Sequence, residues 1–143
     1  MFRGSELVGY FSILPLRRET MKAFVAGEIR ESDFSGRNIL SISATKDVDD
    51  IYFFSIVMSS RYPKLTLTLI QRAAHEVEAI RKHGALRRIY ASAASCPGRR
   101  LLQRLKFRCV QDGETRADHH SLYVKRLDRV CDLREYLQKQ QER

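Results

Sequence analysis

The chain contains no tryptophan, only three prolines and seven glycines, and three cysteines. Cys96, Cys109 and Cys131 are odd in number and none stands at CxxC spacing. That argues against both a disulfide framework and a zinc site. Residues 1–6 lack the apolar run of a signal peptide, and no later stretch is long and apolar enough to span a bilayer. A cytoplasmic protein with no membrane partner is the expectation. Asp47, Asp49 and Asp50 lack the glycine and terminal glutamate of a calcium loop, so they read as a solvated turn. His119 and His120 are chain neighbours whose side chains would point apart, so no metal site is expected.

What is present is one domain's worth of ordinary globular sequence. The 143 residues are 43% hydrophobic and 30% charged, with no internal repeat, linker or low-complexity tract. A chain of this size can bury a single core without metal or disulfide support. The charge is less ordinary. A formal net charge of +9 and a pI near 9.8 concentrate anions around the chain, whether nucleic acid, an acidic protein or a phosphorylated cofactor.

Hydrophobic periodicity divides the chain into alternating elements. Residues 7–16 form a short apolar run closed by Pro15, expected as a mostly buried strand. Residues 17–26 place Met21, Phe24 and Val25 on one helical side, stopped by Gly27, and 28–37 form a charged connector. Residues 38–44 alternate as an extended segment. The apolar run 51–58 is the clearest strand, expected to be covered on both faces. Over 66–82, Leu69, Ile70, Ala73, Val77 and Ile80 recur at three- and four-residue steps, and Gly84 ends the helix. A strand over 88–93, a short helix over 99–105 and strands over 107–110 and 121–127 follow. Residues 128–141 close the chain as a charged amphipathic helix. Tyr52 and Tyr90 read as core packing.

This order, with three local patterns, resembles the GNAT N-acetyltransferase superfamily. Glu6-Leu7-Val8-Gly9-Tyr10-Phe11 is similar to the family's hydrophobic-Val-Gly-aromatic third strand. Val57-Met58-Ser59-Ser60-Arg61 stands where the family has Val-x-Pro-x-Tyr. Leu101-Leu102-Gln103-Arg104-Leu105-Lys106-Phe107 resembles Leu-Tyr-x-x-Leu-Gly-Phe. The resemblance covers residues 6–127 of a single domain, 1–143, with 128–143 as an added C-terminal helix. It implies an α/β (α+β) fold, a central mixed sheet flanked by helices, lacking the family's first strand and first two helices. A second copy or a partner chain would then complete the sheet.

The resemblance also implies acetyl-CoA as cofactor and a primary amine as acceptor. In the family a glycine-rich loop opens the long helix and binds the pyrophosphate through backbone amides and the helix dipole. Here the loop and adjoining strand end would comprise Val57, Met58, Ser59, Arg61, Lys64, Leu65, Thr66, Leu67 and Thr68, with Ser95 at the next strand end. No glycine occupies the loop, and Pro63 removes one amide donor. The family's acidic tyrosine falls on Leu102, which carries no proton. Cys96 could donate in its place, and Glu28 and Glu31, with Asp33, stand in the connector where a general base would lie. Activity is therefore expected to be weakened or lost. The alternative is a non-catalytic module of the same fold, binding nucleic acid or an acidic partner through Arg99, Arg100 and Arg104.

Overall fold

A computed structural model describes residues 1–41 and 48–127. Residues 42–44 of the extended segment expected over 38–44, Asp47, Cys131 and the C-terminal helix lie outside the described residues. The chain opens with a hairpin, β1 (Phe2–Arg3) and β2 (Glu6–Leu7), followed by β3 (Gly9–Leu14) and α1 (Arg18–Ala26). Two single-turn helices, Glu31–Asp33 and Gly36–Asn38, occupy the connector. Then come β4 (Asp50–Met58), a single turn at Pro63–Leu65, α2 (Thr66–His83), β5 (Arg88–Ala93) and α3 (Cys96–Arg104). The strands β6 (Arg108–Gln111) and β7 (Ser121–Arg126) finish the described fold. Five strands make one mixed sheet in the order β3-β4-β5-β7-β6, with β4 and β5 parallel and every other pair antiparallel. Helices flank this sheet, an α+β arrangement.

The helices follow from their side-chain spacing. On α1, Met21 and Phe24 are buried, and Gly27 adopts φ 80°, the left-handed conformation that lets its amide and that of Glu28 close back on the last turn. On α2, Leu69, Ile70, Ala73 and Val77 are buried on one stripe, each worth about 1–3 kcal/mol of transfer from water. Arg81, Lys82 and His83 lie in its last turn, where their charge suits the negative end of the helix dipole. Gly84 ends α2 in an extended conformation instead of a left-handed one. The two sheet faces carry separate cores. Leu16, Met21, Phe24, Tyr52, Leu122 and Val124 pack on the α1 side, and Val48, Ile51, Val77, Leu86 and Ile89 on the α2 side.

Two expectations about strands are corrected. Residues 7–16 are not one buried strand: Leu7 turns out to pair with Phe2 and is exposed, Val8 is the buried pivot, and β3 is only half covered. The reason is position, because β3 is an edge strand among the described residues. Likewise β4 is fully buried only at Ile51 and Tyr52, while Phe54 and Val57 are exposed. A third correction concerns α3, which begins at Cys96, not at Arg99. Ser95 caps it by accepting from the Gly98 amide at 3.2 Å, and Pro97 sits in the first turn, where a missing N–H costs nothing.

The end of α3 shows a residue under strain. Lys106 has φ 62°, and the amides of Lys106 and Phe107 bond back to the carbonyls of Gln103 and Leu102 at 3.0 and 2.9 Å. This is the double closure of a Schellman motif, in which glycine is the usual left-handed residue. The buried Lys125 ammonium adds a bond to the Leu105 carbonyl at 2.8 Å. A side chain in the left-handed region costs about 1–2 kcal/mol, and glycine returns about half of that as unfolded-state entropy. Lys106→Gly is therefore expected to stabilise the domain by about 0.5–1 kcal/mol, read as a higher midpoint in urea unfolding.

Candidate functional site

The parallel pair is clamped at one end and open at the other. Asp50 and Arg88 stand opposite each other at the start of β4 and β5, joined by two bonds of 2.6 Å each. The carbonyl of Asp49 also accepts the amides of Arg87 and Arg88. Two members of the acidic turn thus fix strand register instead of being merely solvated. Pairing continues through Tyr52–Tyr90 to Phe53–Ala91 and stops there, although β4 runs on to Met58 and β5 to Ala93. A gap therefore opens at the carboxyl ends of the two parallel strands. In open α/β sheets that is where ligands enter.

Backbone alternation shows what lines the gap. The Ser59 amide donates to the Val8 carbonyl at 2.9 Å, so Ser59 and Val57 face β3, and the polar groups of Ile56 and Met58 face the opening. The register slip that frees this end lies at Phe54, where Ser55 pairs with Ser12 but Phe53 with Ile13. Behind the gap, on the α2 side, a cavity of about 60 Å³ is lined by Phe53, Ile56, Ile70, Ala73, Leu101 and Leu102, among others. Leu102 thus faces an apolar space, as its chemistry requires.

At the base of the gap, on the α1 side, lies a polar cluster. Tyr52 of β4 and Ser92 of β5 both donate to one carboxylate oxygen of Glu31, and their own oxygens lie 2.6 Å apart. Phe24 and Phe34 pack edge-on against the Tyr52 ring at 4.7 and 5.9 Å, which holds the connector and hence Glu31 over the sheet. Burial first, and the Glu31 charge second, push the Tyr52 hydroxyl far above its ordinary range, so it stays a proton donor. Tyr52 is thus packing and polar at once. Glu31, Asp118 and His120 each direct a ligating atom to within 4.8 Å of the others, all half-buried.

Arg116 organises the loop that delivers Asp118 and His120. It is 2% exposed, its guanidinium lies 4.6 Å from the Phe24 ring centre, and it donates to the Phe24 carbonyl at 3.0 Å and to Gln111 Oε1 at 2.9 Å. Two further bonds, 3.1 and 3.0 Å, grip both oxygens of Asp118. Burial alone would raise the Asp118 carboxyl. Bonds from Arg116 and from the His120 amide, with the guanidinium charge, outweigh it and hold the carboxyl below the usual carboxylate range. His119, at φ 56°, is the left-handed residue between Asp118 and His120.

The other expected site residues are dispersed. Glu28 is exposed, and Asp33 accepts the Arg30 amide at 2.8 Å to close its own turn. Cys96 is exposed in the first turn of α3 and Ser95 is its cap, so neither belongs to the Glu31 cluster. In the loop, the Leu65 amide bonds to the Tyr62 carbonyl at 3.0 Å and the Thr66 amide to Pro63, so these two donors serve the turn itself. Arg61 lies 3.9 Å from Glu6, and Tyr62 donates to Glu6 at 2.8 Å. What the loop offers an anion is exposed Lys64 and the start of α2, with Thr66, Leu67 and Thr68 half-buried along it. Arg99, Arg100 and Arg104 are all exposed on α3.

Among the described residues no helix is long and apolar enough to cross a membrane. No family model, curated protein or solved structure matches the chain.

Proposed function

We propose that this chain is an acyl-CoA-dependent N-acyltransferase of GNAT type that acts on a primary amine. The observation that carries the reading is the open end of the β4–β5 pair, with the amides of Ile56 and Met58 facing the opening and the Glu31 carboxylate at its base. The resemblance drawn from the sequence, with its strand–loop–helix–strand order, supports the same reading. The opening fits the extended, amide-bearing arm of acetyl-CoA, which would supply the thioester. The loop fits the pyrophosphate less well, because its amides close their own turn and glutamate Glu6 stands beside Arg61. Phosphate contact falls to Lys64 and the α2 dipole.

In this reading the chain's own residues position and deprotonate. Backbone donors of β4 face the carbonyl that develops negative charge. Glu31, fixed by Tyr52 and Ser92, takes the proton that the attacking amine sheds. No side chain at Leu102 protonates the departing thiolate, so turnover is slow. Calorimetric titration with acetyl-CoA tests the proposal. Binding should weaken about tenfold in Lys64→Ala, the scale of one charge-assisted contact. Absence of binding at millimolar cofactor overturns it.

A second reading rests on the exposed, acid-free row Arg99, Arg100 and Arg104. As a non-catalytic module the chain would hold nucleic acid or an acidic partner there. Retention on nucleic acid that falls steeply with salt, and is abolished by neutralising the three arginines, would favour this reading.

A further inference from the structure

We propose that Glu31, Asp118 and His120 form a binding site for a divalent first-row transition ion. Two carboxylate oxygens and one imidazole nitrogen, from segments about ninety residues apart in the chain, converge to within 4.8 Å of one another. Ligands around a zinc-like ion lie about 2.0–2.2 Å from it, so an approach of roughly an ångström brings all three into contact. An N,O,O set of this kind suits zinc, manganese or cobalt better than calcium, whose sites use only oxygen. Three protein ligands also leave open positions.

The surroundings resemble the outer layer that metal sites require. A ligating carboxylate is normally oriented by further hydrogen bonds. Tyr52 and Ser92 do this for Glu31, and Arg116 does it for Asp118. A carboxylate offers about four lone-pair positions; Arg116 takes two and the His120 amide a third, which leaves Asp118 one with which to ligate. The charge balance points the same way. Arg116 neutralises Asp118, whereas no basic side chain among the described residues forms an ion pair with Glu31. Among the described residues Glu31 thus lacks a basic ion-pair partner within a strongly basic chain, and the hydrogen bonds its carboxylate accepts come from the neutral hydroxyls of Tyr52 and Ser92.

The proposal goes beyond the transfer reading and does not rest on it. The chelator-stripped full chain is titrated with Co²⁺, read by its visible absorption bands, and then with Zn²⁺ in competition. One ion should bind per chain. His120→Ala and Glu31→Gln should each weaken binding by at least about tenfold. His119→Ala and a variant with all three cysteines changed to serine should bind like the parent. Circular dichroism checks that each variant folds, and if His120→Ala does not, Glu31→Gln decides. The site is overturned by no cobalt binding, by binding that both cluster variants retain, or by binding lost with the cysteines. Calorimetry with acetyl-CoA on the same metal-free protein reads the transfer hypothesis separately.

Discussion

Arg116→Ala should lower the unfolding free energy by about 3–5 kcal/mol, the cost of stripping one member from a buried ion pair. Both side chains are nearly inaccessible, at 0% and 7%, so solvent cannot take over the lost partner. The change also removes the donor to the Phe24 carbonyl and the cation above the Phe24 ring. For a domain whose total stability is about 5–15 kcal/mol, that is a large share. Thermal unfolding monitored by circular dichroism gives the readout; a loss under 1 kcal/mol would mean the guanidinium is not holding this loop. The pH dependence adds a sign. In the parent, the depressed Asp118 carboxyl contributes stability above its unfolded value, near pH 4, and that contribution is lost as pH falls below it. In Arg116→Ala burial is opposed only by His120, so the carboxyl rises relative to the parent and its protonation on acidification relieves the variant. The difference between parent and variant should shrink as pH drops through 4.

Glu31→Gln should reduce acetyl transfer to an amine by about 10²–10⁴-fold, the usual worth of a positioned general base. Glutamine preserves the size of the side chain and can still accept from Tyr52 and Ser92, but it cannot take a proton. The loss should appear in kcat, with acetyl-CoA affinity unchanged by calorimetry. A variant within threefold of the parent would remove Glu31 from the chemistry. Glu28→Gln is the matched control: Glu28 is exposed and should leave the rate unchanged.

Much of the fold was legible because period and punctuation agreed. The stripe from Leu69 to Val77 and the stop at Gly27 are local signals, and α1 and α2 appear where they predict. The strand ends were less legible, since whether residues 7–16 are buried depends on which strands lie beside them. The site was read unevenly for the same physical reason. Glu31 stood out as an acid in a charged connector, yet so did Glu28 and Asp33, and only the packing of Phe24 and Phe34 on Tyr52 selects among them. His120 was set aside as a ligand, and its convergence with Asp118 and Glu31 was not anticipated. Adjacent histidines on a regular strand do point apart, but His119 is left-handed, which breaks that alternation. An arginine two residues before an aspartate in a polar loop is the local signal for Arg116, but its burial depends on Phe24, some ninety residues earlier in sequence. Asp50 was similarly misread as solvated, because Arg88 reaches it only once the sheet has formed, whereas the Asp49 side chain is exposed as expected.

The Asp50–Arg88 clamp has a mechanical consequence. Among the described residues the sheet consists of two plates, the β3–β4 pair and the antiparallel β5–β7–β6 unit, that share four register pairs from Asp50 to Phe53. Beyond Phe53 no strand hydrogen bond joins them, so the width of the opening is set by side-chain packing and not by a backbone ladder. Such a seam is shaped like a clothes-peg, joined at the Asp50–Arg88 ion pair and parted at Met58 and Ala93.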